Sequence, residues 1–200
     1  MRDALAKLDP VMAKLIERVG PIDIRPRRQT PFQSLAQAII HQQLSGKAAA
    51  TIQNRFIALY PGKDFPGPED VMTTSSEALR AVGLSRPKLS YMKDLAERAA
   101  VGGIPTLEQC DLMSDADLIE NLTEIRGIGA WTVEMMLIFN LGRTDVLPIH
   151  DLGVQKGYQK SYRKRRSTSP EALGKAGKKW APYRTFAALY LWRSLDTEVG

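Results

Sequence analysis

Apolar residues recur three or four positions apart through nearly the whole chain, and runs that alternate Val, Ile, Thr or aromatic residues with polar ones are missing. That spacing fits the turn of an α-helix and not the two-residue repeat of a strand, so an all-α fold is expected. In MRDALAKLDPVMAKLIERVG, Leu5, Leu8, Met12, Leu15, Ile16 and Val19 form one stripe, which reads as a single amphipathic helix rather than a signal peptide. Thr30-Pro31-Phe32-Gln33 combines an N-cap, a proline at the first helical position and a glutamine that can bond back to the cap. It opens a helix with Phe32, Leu35, Ala36, Ile39 and Ile40 inward. A second helix is expected from about Gly46 to Tyr60 on Ile52, Phe56 and Leu59, followed by a loop at PGKDFPGPED (61–70).

Further starts are legible downstream. Ser85 and Gly102-Gly103 bracket a helix carrying Leu89, Met92, Leu95 and Ala96. Ser114 caps another with Leu118 and Leu122 inward, a helix runs from about Ala130 to Leu141, and Ser169-Pro170 and Pro182 open the last two. The chain reads as one helical domain, residues 1–200, made of two lobes. The loops near 20–30 and 103–113 are the expected crossings between them.

The 200 residues, 44% of them hydrophobic, suffice for a buried core. Lys and Arg outnumber Asp and Glu by 28 to 22, so the surface attracts polyanions, and nucleic acid is the first partner to test. A single cysteine, Cys110, excludes an internal disulfide, a multi-thiolate zinc site and a four-cysteine iron–sulfur cluster, and it implies a reducing compartment. No apolar run is long enough to span a membrane.

The most informative stretch is Leu122-Thr-Glu-Ile-Arg-Gly127-Ile-Gly129-Ala130-Trp131-Thr132, where one helix ends, a Gly-x-Gly turn intervenes and a second helix begins. Glycines permit backbone angles that other residues resist and keep side chains out of the way. Successive N–H groups and the positive end of the second helix can then face one phosphate, whatever the base sequence. Taken alone, the motif equally describes an ordinary tight αα-hairpin.

Three further segments give it context. They are Phe32 to Ala50 with Gln42-Gln43-Leu44-Ser45 between two helices, the loop Val146-Leu-Pro-Ile-His150-Asp151-Leu152-Gly-Val-Gln-Lys156, and Trp180-Ala-Pro-Tyr183-Arg184 before the last helix. In this order and spacing the chain resembles the helix-hairpin-helix DNA glycosylase superfamily, and within it the DNA-3-methyladenine glycosylase II group. The resemblance covers about residues 20–195, with the helix-hairpin-helix at about 115–141. It implies two helical lobes flanking a DNA-binding groove, and a base-excision repair hydrolase. Such an enzyme flips an alkylated purine such as 3-methyladenine from duplex DNA, hydrolyses the N-glycosidic bond and leaves an abasic site.

The same resemblance suggests roles for individual residues. Asp151 is the catalytic candidate, a carboxylate that can stabilise positive charge on the sugar and orient or deprotonate water; aspartate is also a favoured N-cap, and the two roles are compatible. Trp131 stands where strand-nicking members carry a Schiff-base lysine, so lyase activity is not expected. Trp131, Tyr183, Phe32, Met135 and Leu152 are base-pocket candidates, with Trp180 beside them; Trp131 reads equally as core, and Phe32 and Trp180 are the weaker pair, with simple core as their alternative. Met135 and Leu152 occupy positions where bacterial members carry tyrosines, which thins the aromatic cage.

Leu44 is either an apolar wedge entering the base stack or a residue packed under the hairpin. Gln42, Gln43, Ser45, Gly127, Gly129, Ala130, Thr132 and His150 are the remaining DNA-contact candidates. The run Lys160-Ser-Tyr-Arg163-Lys164-Arg165-Arg166 is either a flanking DNA contact or a solvated loop. The family's hairpin carbonyls can hold a monovalent cation, at positions matching Thr123, Ile125 and Ile128, but backbone ligands leave no sequence trace.

No cofactor or metal is expected. The partner is double-stranded DNA containing damaged bases, the enzyme is expected to be a monomer, and the location is the cytoplasm of a prokaryote or the nucleus of a eukaryote. The competing readings are a non-catalytic helix-hairpin-helix DNA-binding module, a glycosylase for oxidised or deaminated bases, and a helical regulator. A non-catalytic module would need neither Asp151 nor the aromatic residues, and no segment reads as a base-reading recognition helix.

Overall fold

The computed structural model describes residues 1–196. It is helical throughout, with no strand among the described residues. The chain forms two compact units, one of Met1–Pro26 together with the chain from Leu137 onward, the other of Arg27–Met136.

The first twenty residues differ from expectation, forming two helices, α1 (Arg2–Leu8) and α2 (Pro10–Val19). A residue preceding proline is disfavoured in helical geometry. Asp9 accordingly adopts φ −152° and ψ 114°, and its carboxylate accepts from the Val11 and Met12 amides as the N-cap of α2. Asp9 is also the polar centre of this unit's core. It is 1% exposed and accepts hydrogen bonds from Trp180 Nε1 (2.8 Å) and Tyr162 Oη, with an ion pair to Lys179 (2.8 Å). Burial alone would raise its pKa, but the bonds from Lys179, Trp180, Tyr162 and Val11 outweigh that and hold it at about 2.

The second unit contains α3 (Pro31–His41), α4 (Gly46–Ala58), α5 (Pro68–Thr73), α6 (Ser76–Ala81), α7 (Arg86–Ala100), α8 (Leu107–Leu112), α9 (Asp115–Thr123) and α10 (Ala130–Met136). Thr30, Ser45, Ser85 and Ser114 each accept an amide as N-cap. Among the described residues Gln33 supplies its amide to Thr30 without a return bond from its side chain. Leu35, Ile39, Ile40, Phe56, Met92, Leu95, Leu118 and Leu122 are buried, each such side chain contributing roughly 1.5–3 kcal/mol. The α4 stripe is narrower than expected. Ala49 and Phe56 carry it, while Leu59 is 37% exposed past the helix end. Helices α5, α6 and α8 have only six residues each, too few for a periodic signal; α5 begins inside the segment read as loop.

The return to the first unit also differs from expectation. The chain leaves the second unit at Met136, where α10 runs directly into a π turn at Leu137–Leu141. The 103–113 stretch lies wholly inside the second unit. A crossing within continuous helix carries no glycine or proline to announce it.

Helices α11 (Leu152–Ser161), α12 (Pro170–Gly177) and α13 (Arg184–Asp196) complete the first unit, with a short 3-10 turn at Lys178–Trp180. Every residue from Thr185 to Leu191 is buried. Gly157 is what lets α11 lie against α13, since a Cβ there would fall 2.1 Å from the Leu191 carbonyl oxygen.

Candidate active site and nucleic-acid interface

The candidate residues divide between the units. In the first, Asp151 caps α11, and its Oδ1 accepts from the Val154 amide and from Trp192 Nε1, both at 2.8 Å. Two donors on one oxygen fix the plane of the carboxylate. Gly153 makes room for this arrangement, because a Cβ would sit 2.8 Å from Trp192 Cδ1 and 3.0 Å from Asp151 Oδ1. Trp192 is steadied in turn by stacking on Phe139 of the π turn, with ring centroids 6.1 Å apart.

The loop that delivers Asp151 is pinned at both ends. Arg184 binds Asp145 through two bonds of 2.8 Å and holds its carboxyl below the usual carboxylate range. Thr185 Oγ1 donates to the Arg143 carbonyl and accepts from the Val146 amide. Gln155 Nε2 donates to the Ile149 carbonyl at 2.7 Å. The result is a half-buried carboxylate at a helix start, held in one direction and suited to face a developing positive charge.

In the second unit, the hairpin joins α9 to α10. Gly127 has φ +80°, and a Cβ on it would lie 2.3 Å from the Tyr91 ring; Gly129 has no atom within 4 Å of its Cβ position. The Arg126 amide is taken by Asp94 at 3.0 Å. Among the described residues the amides of Gly127, Gly129 and Ala130 donate to no protein acceptor, leaving three N–H groups at the turn for an anion. Thr132 is buried, with its amide bonded to the Gly129 carbonyl.

The QQLS turn is braced against that hairpin. Gln42 Nε2 donates to the Gly127 carbonyl at 2.8 Å, so this side chain joins turn to hairpin, a role that sequence reasoning did not give it. Lys88 Nζ donates to the carbonyls of Ile40 and Gln42, each at 2.7 Å, and burial lowers its pKa. Gln43 has φ +55°, and the next residue, Leu44, is 39% exposed at the tip. Ser45 caps α4.

Among the remaining candidates, Trp131 is 48% exposed and Leu152 67% exposed, while Met135 is half-buried. Tyr183 packs beside the core of the first unit, and Trp180 is wholly inside it. His150 is exposed. Phe32 is buried in the second unit, beside a cavity also lined by Phe65, Pro66, Ile104 and Pro105. Sequence reasoning missed Trp192, Asp145, Arg184, Thr185, Lys88 and Tyr91. Each acts through a contact across at least 36 residues of chain. No local pattern marks these contacts, although Arg184 itself lies in the Trp180–Arg184 segment.

The model of the family described as "HhH-GPD superfamily base excision DNA repair protein" matches residues 36–182. The chain belongs to this superfamily. DNA-3-methyladenine glycosylase 1 of Schizosaccharomyces pombe is 40% identical over 194 residues, covering 95% of this chain and 84% of that protein. The solved structure of the S. pombe 3-methyladenine DNA glycosylase in complex with abasic DNA superposes with a TM-score of 0.86 at 39% identity, over 98% of this chain and 96% of that one. A DNA-3-methyladenine glycosidase structure from Bacillus halodurans gives 0.88 at 38% identity, over 96% and 88%. For this HhH-GPD chain the matched segment contains the QQLS turn, the hairpin and Asp151, while Trp192 lies beyond its end.

Proposed function

We propose that this protein is a monofunctional DNA glycosylase of base-excision repair, which everts an alkylated purine such as 3-methyladenine and hydrolyses its bond to deoxyribose. The observation that carries the reading is Asp151, capping α11 with Oδ1 held by two donors. A charge so fixed stabilises an oxocarbenium-like sugar without reorganising during the reaction, and it can orient or deprotonate the attacking water.

Leu44 fills the stack where the nucleotide leaves, and the hairpin amides take a backbone phosphate. The π-face of Tyr183 favours a cationic base over a neutral one. Trp131 offers no amine, so water is the nucleophile and the product is an intact abasic site. Residues 1–200 act as one monomeric enzyme on damaged double-stranded DNA, in the prokaryotic cytoplasm or the eukaryotic nucleus.

The test is incubation with duplexes carrying single defined lesions, with released bases identified by mass spectrometry and strands analysed with and without alkali. Free alkylated purine and alkali-dependent breakage are expected. Binding without release would leave the non-catalytic DNA-binding reading, release of only oxidised or deaminated bases would replace the substrate class, and a borohydride-trapped adduct would overturn monofunctionality.

A further inference from the structure

Lys14 and Arg18 lie one turn apart on α2, and Lys160 and Arg163 stand at the C-terminal end of α11. With Ser161 and Tyr162 they line a cleft of about 440 Å³ in the first unit, and no carboxylate is among its lining residues. The Ser161 Oγ is buried there without a hydrogen-bond partner among the described residues. Cations near a helix C-terminus complement its dipole, and Lys160 is accounted for by its 2.6 Å bond to the Ser194 carbonyl. Arg18 in the last turn of α2 and Arg163 just past α11 also sit at helix C-termini, but unlike Lys160 neither they nor Lys14 bond a carbonyl through the side chain among the described residues.

Arg163 is the most informative of the four. It has φ +49°, and the bonds from its amide to the Lys160 carbonyl and from the Lys164 amide to the Gln159 carbonyl form the helix-ending motif whose left-handed position normally takes glycine. Glycine would close the helix with less strain, so arginine at this position points to a use for its side chain. Beyond it, Lys164, Arg165, Arg166 and Lys175 wall a second hollow. The cations therefore form a strip, which suits a backbone of repeating phosphates better than one small anion. Asp151 caps the other end of α11, a ten-residue helix about 15 Å long. The strip is thus separate from the carboxylate that the proposed chemistry uses.

We propose that this strip is an auxiliary phosphodiester-binding site, which holds a stretch of duplex DNA other than the one carrying the lesion. The inference rests on the reading that the protein works on DNA. Its consequence would be retention on DNA while the active site is engaged or empty.

The test compares wild type with a Lys14→Gln, Arg18→Gln, Arg163→Gly variant. The protein is first saturated with a short duplex containing an abasic-site analogue, and a fluorescent undamaged duplex is then titrated at several KCl concentrations. Wild type should form a ternary complex that the variant forms at least tenfold more weakly, with the slope of log affinity against log salt shallower by about 2 to 3. Base release from a short lesion duplex at saturating enzyme should be unchanged, and the melting temperature should not fall, because glycine suits φ +49°. Failure of wild type to bind the second duplex, or equal binding by the variant, overturns the proposal. Displacement of the second duplex by inorganic phosphate at constant ionic strength would reduce the strip to a single-anion site and overturn it as well. If the protein neither released a base nor bound the abasic duplex, the glycosylase reading would fail, while loss of undamaged-duplex binding in the variant would still report on the strip.

Discussion

The indole N–H of Trp192 donates to Oδ1 of Asp151 at 2.8 Å, so a residue of the last helix sets the direction of the carboxylate at the start of α11. Asp151→Asn separates the charge from the shape. An amide oxygen can accept from both Val154 and Trp192, and asparagine caps helices as well as aspartate does, so stability should change by no more than about 1 kcal/mol. Single-turnover base release should fall roughly a hundredfold or more, least for labile cationic lesions and most for neutral ones. Near-normal release by the folded variant would leave Asp151 as a cap alone.

Trp192→Phe removes the donor while leaving an aromatic ring to stack on Phe139. Loss of a hydrogen bond to a charged group corresponds to about tenfold in rate, and it should appear in kcat rather than in lesion affinity. In the Asp151→Asn background the same substitution should cost little further activity, because the charge it orients is gone. Additive losses would show that Trp192 works independently of the carboxylate.

The two hairpin glycines should behave differently despite their shared motif. Gly127→Ala combines φ +80° with a Cβ 2.3 Å from the Tyr91 ring, whereas Gly129→Ala meets no protein atom. Thermal melts should show Gly127→Ala destabilised by about 1–3 kcal/mol and Gly129→Ala close to wild type. Gly129→Ala should still weaken binding to every duplex alike, since its methyl group would occupy space beside the amides offered to a phosphate. Undiminished binding would remove this turn from the interface.

How much of this was legible in the sequence follows from the range of each interaction. The all-α class, the Ser and Thr caps and the α9-turn-α10 hairpin rest on local periodicity, capping chemistry and glycine placement, all of which a linear chain displays. The break at Asp9 was also written locally, in Asp9-Pro10, but the continuous apolar stripe masked it. What holds Asp151 and the QQLS turn in place could not be read. Trp192 is 41 residues from Asp151, and Lys88 is 46 from Gln42. Their positions are fixed only once the helices pack.

Asp9 gives an acid-sensitive contribution to stability. Its carboxyl is held at about 2 against an ordinary 3.8, so the native state favours the charged form by about 2 kcal/mol. That stabilisation is complete above the ordinary value and is lost as pH falls through the folded one. Urea denaturation should find Asp9→Asn less stable than wild type by about 2 kcal/mol at neutral pH, with the gap narrowing from about pH 4 and nearly closed by pH 2. A gap independent of pH would mean that Asp9 acts through shape and not charge.

The QQLS turn supports the last prediction, because its tip and its brace can be altered separately. Leu44→Ala removes the apolar tip without touching the bonds behind it. Excision should slow more from stable base pairs than from mismatched or single-stranded contexts, where little stacking has to be broken. Lys88→Met leaves the tip intact and removes the donor to the Ile40 and Gln42 carbonyls. Leaving such groups unpaired costs about 1–3 kcal/mol, and it frees the turn whose position Gln42 otherwise ties to the Gly127 carbonyl. Lys88→Met should therefore reproduce the context dependence of Leu44→Ala together with a lower melting temperature, which Leu44→Ala should not show. Release rates measured from matched and mismatched duplexes, beside melts of both variants, decide the matter. An equal loss of excision in all contexts for Leu44→Ala would make Leu44 a packing residue, and a destabilised Lys88→Met with unaltered context dependence would show that the wedge does not depend on its brace.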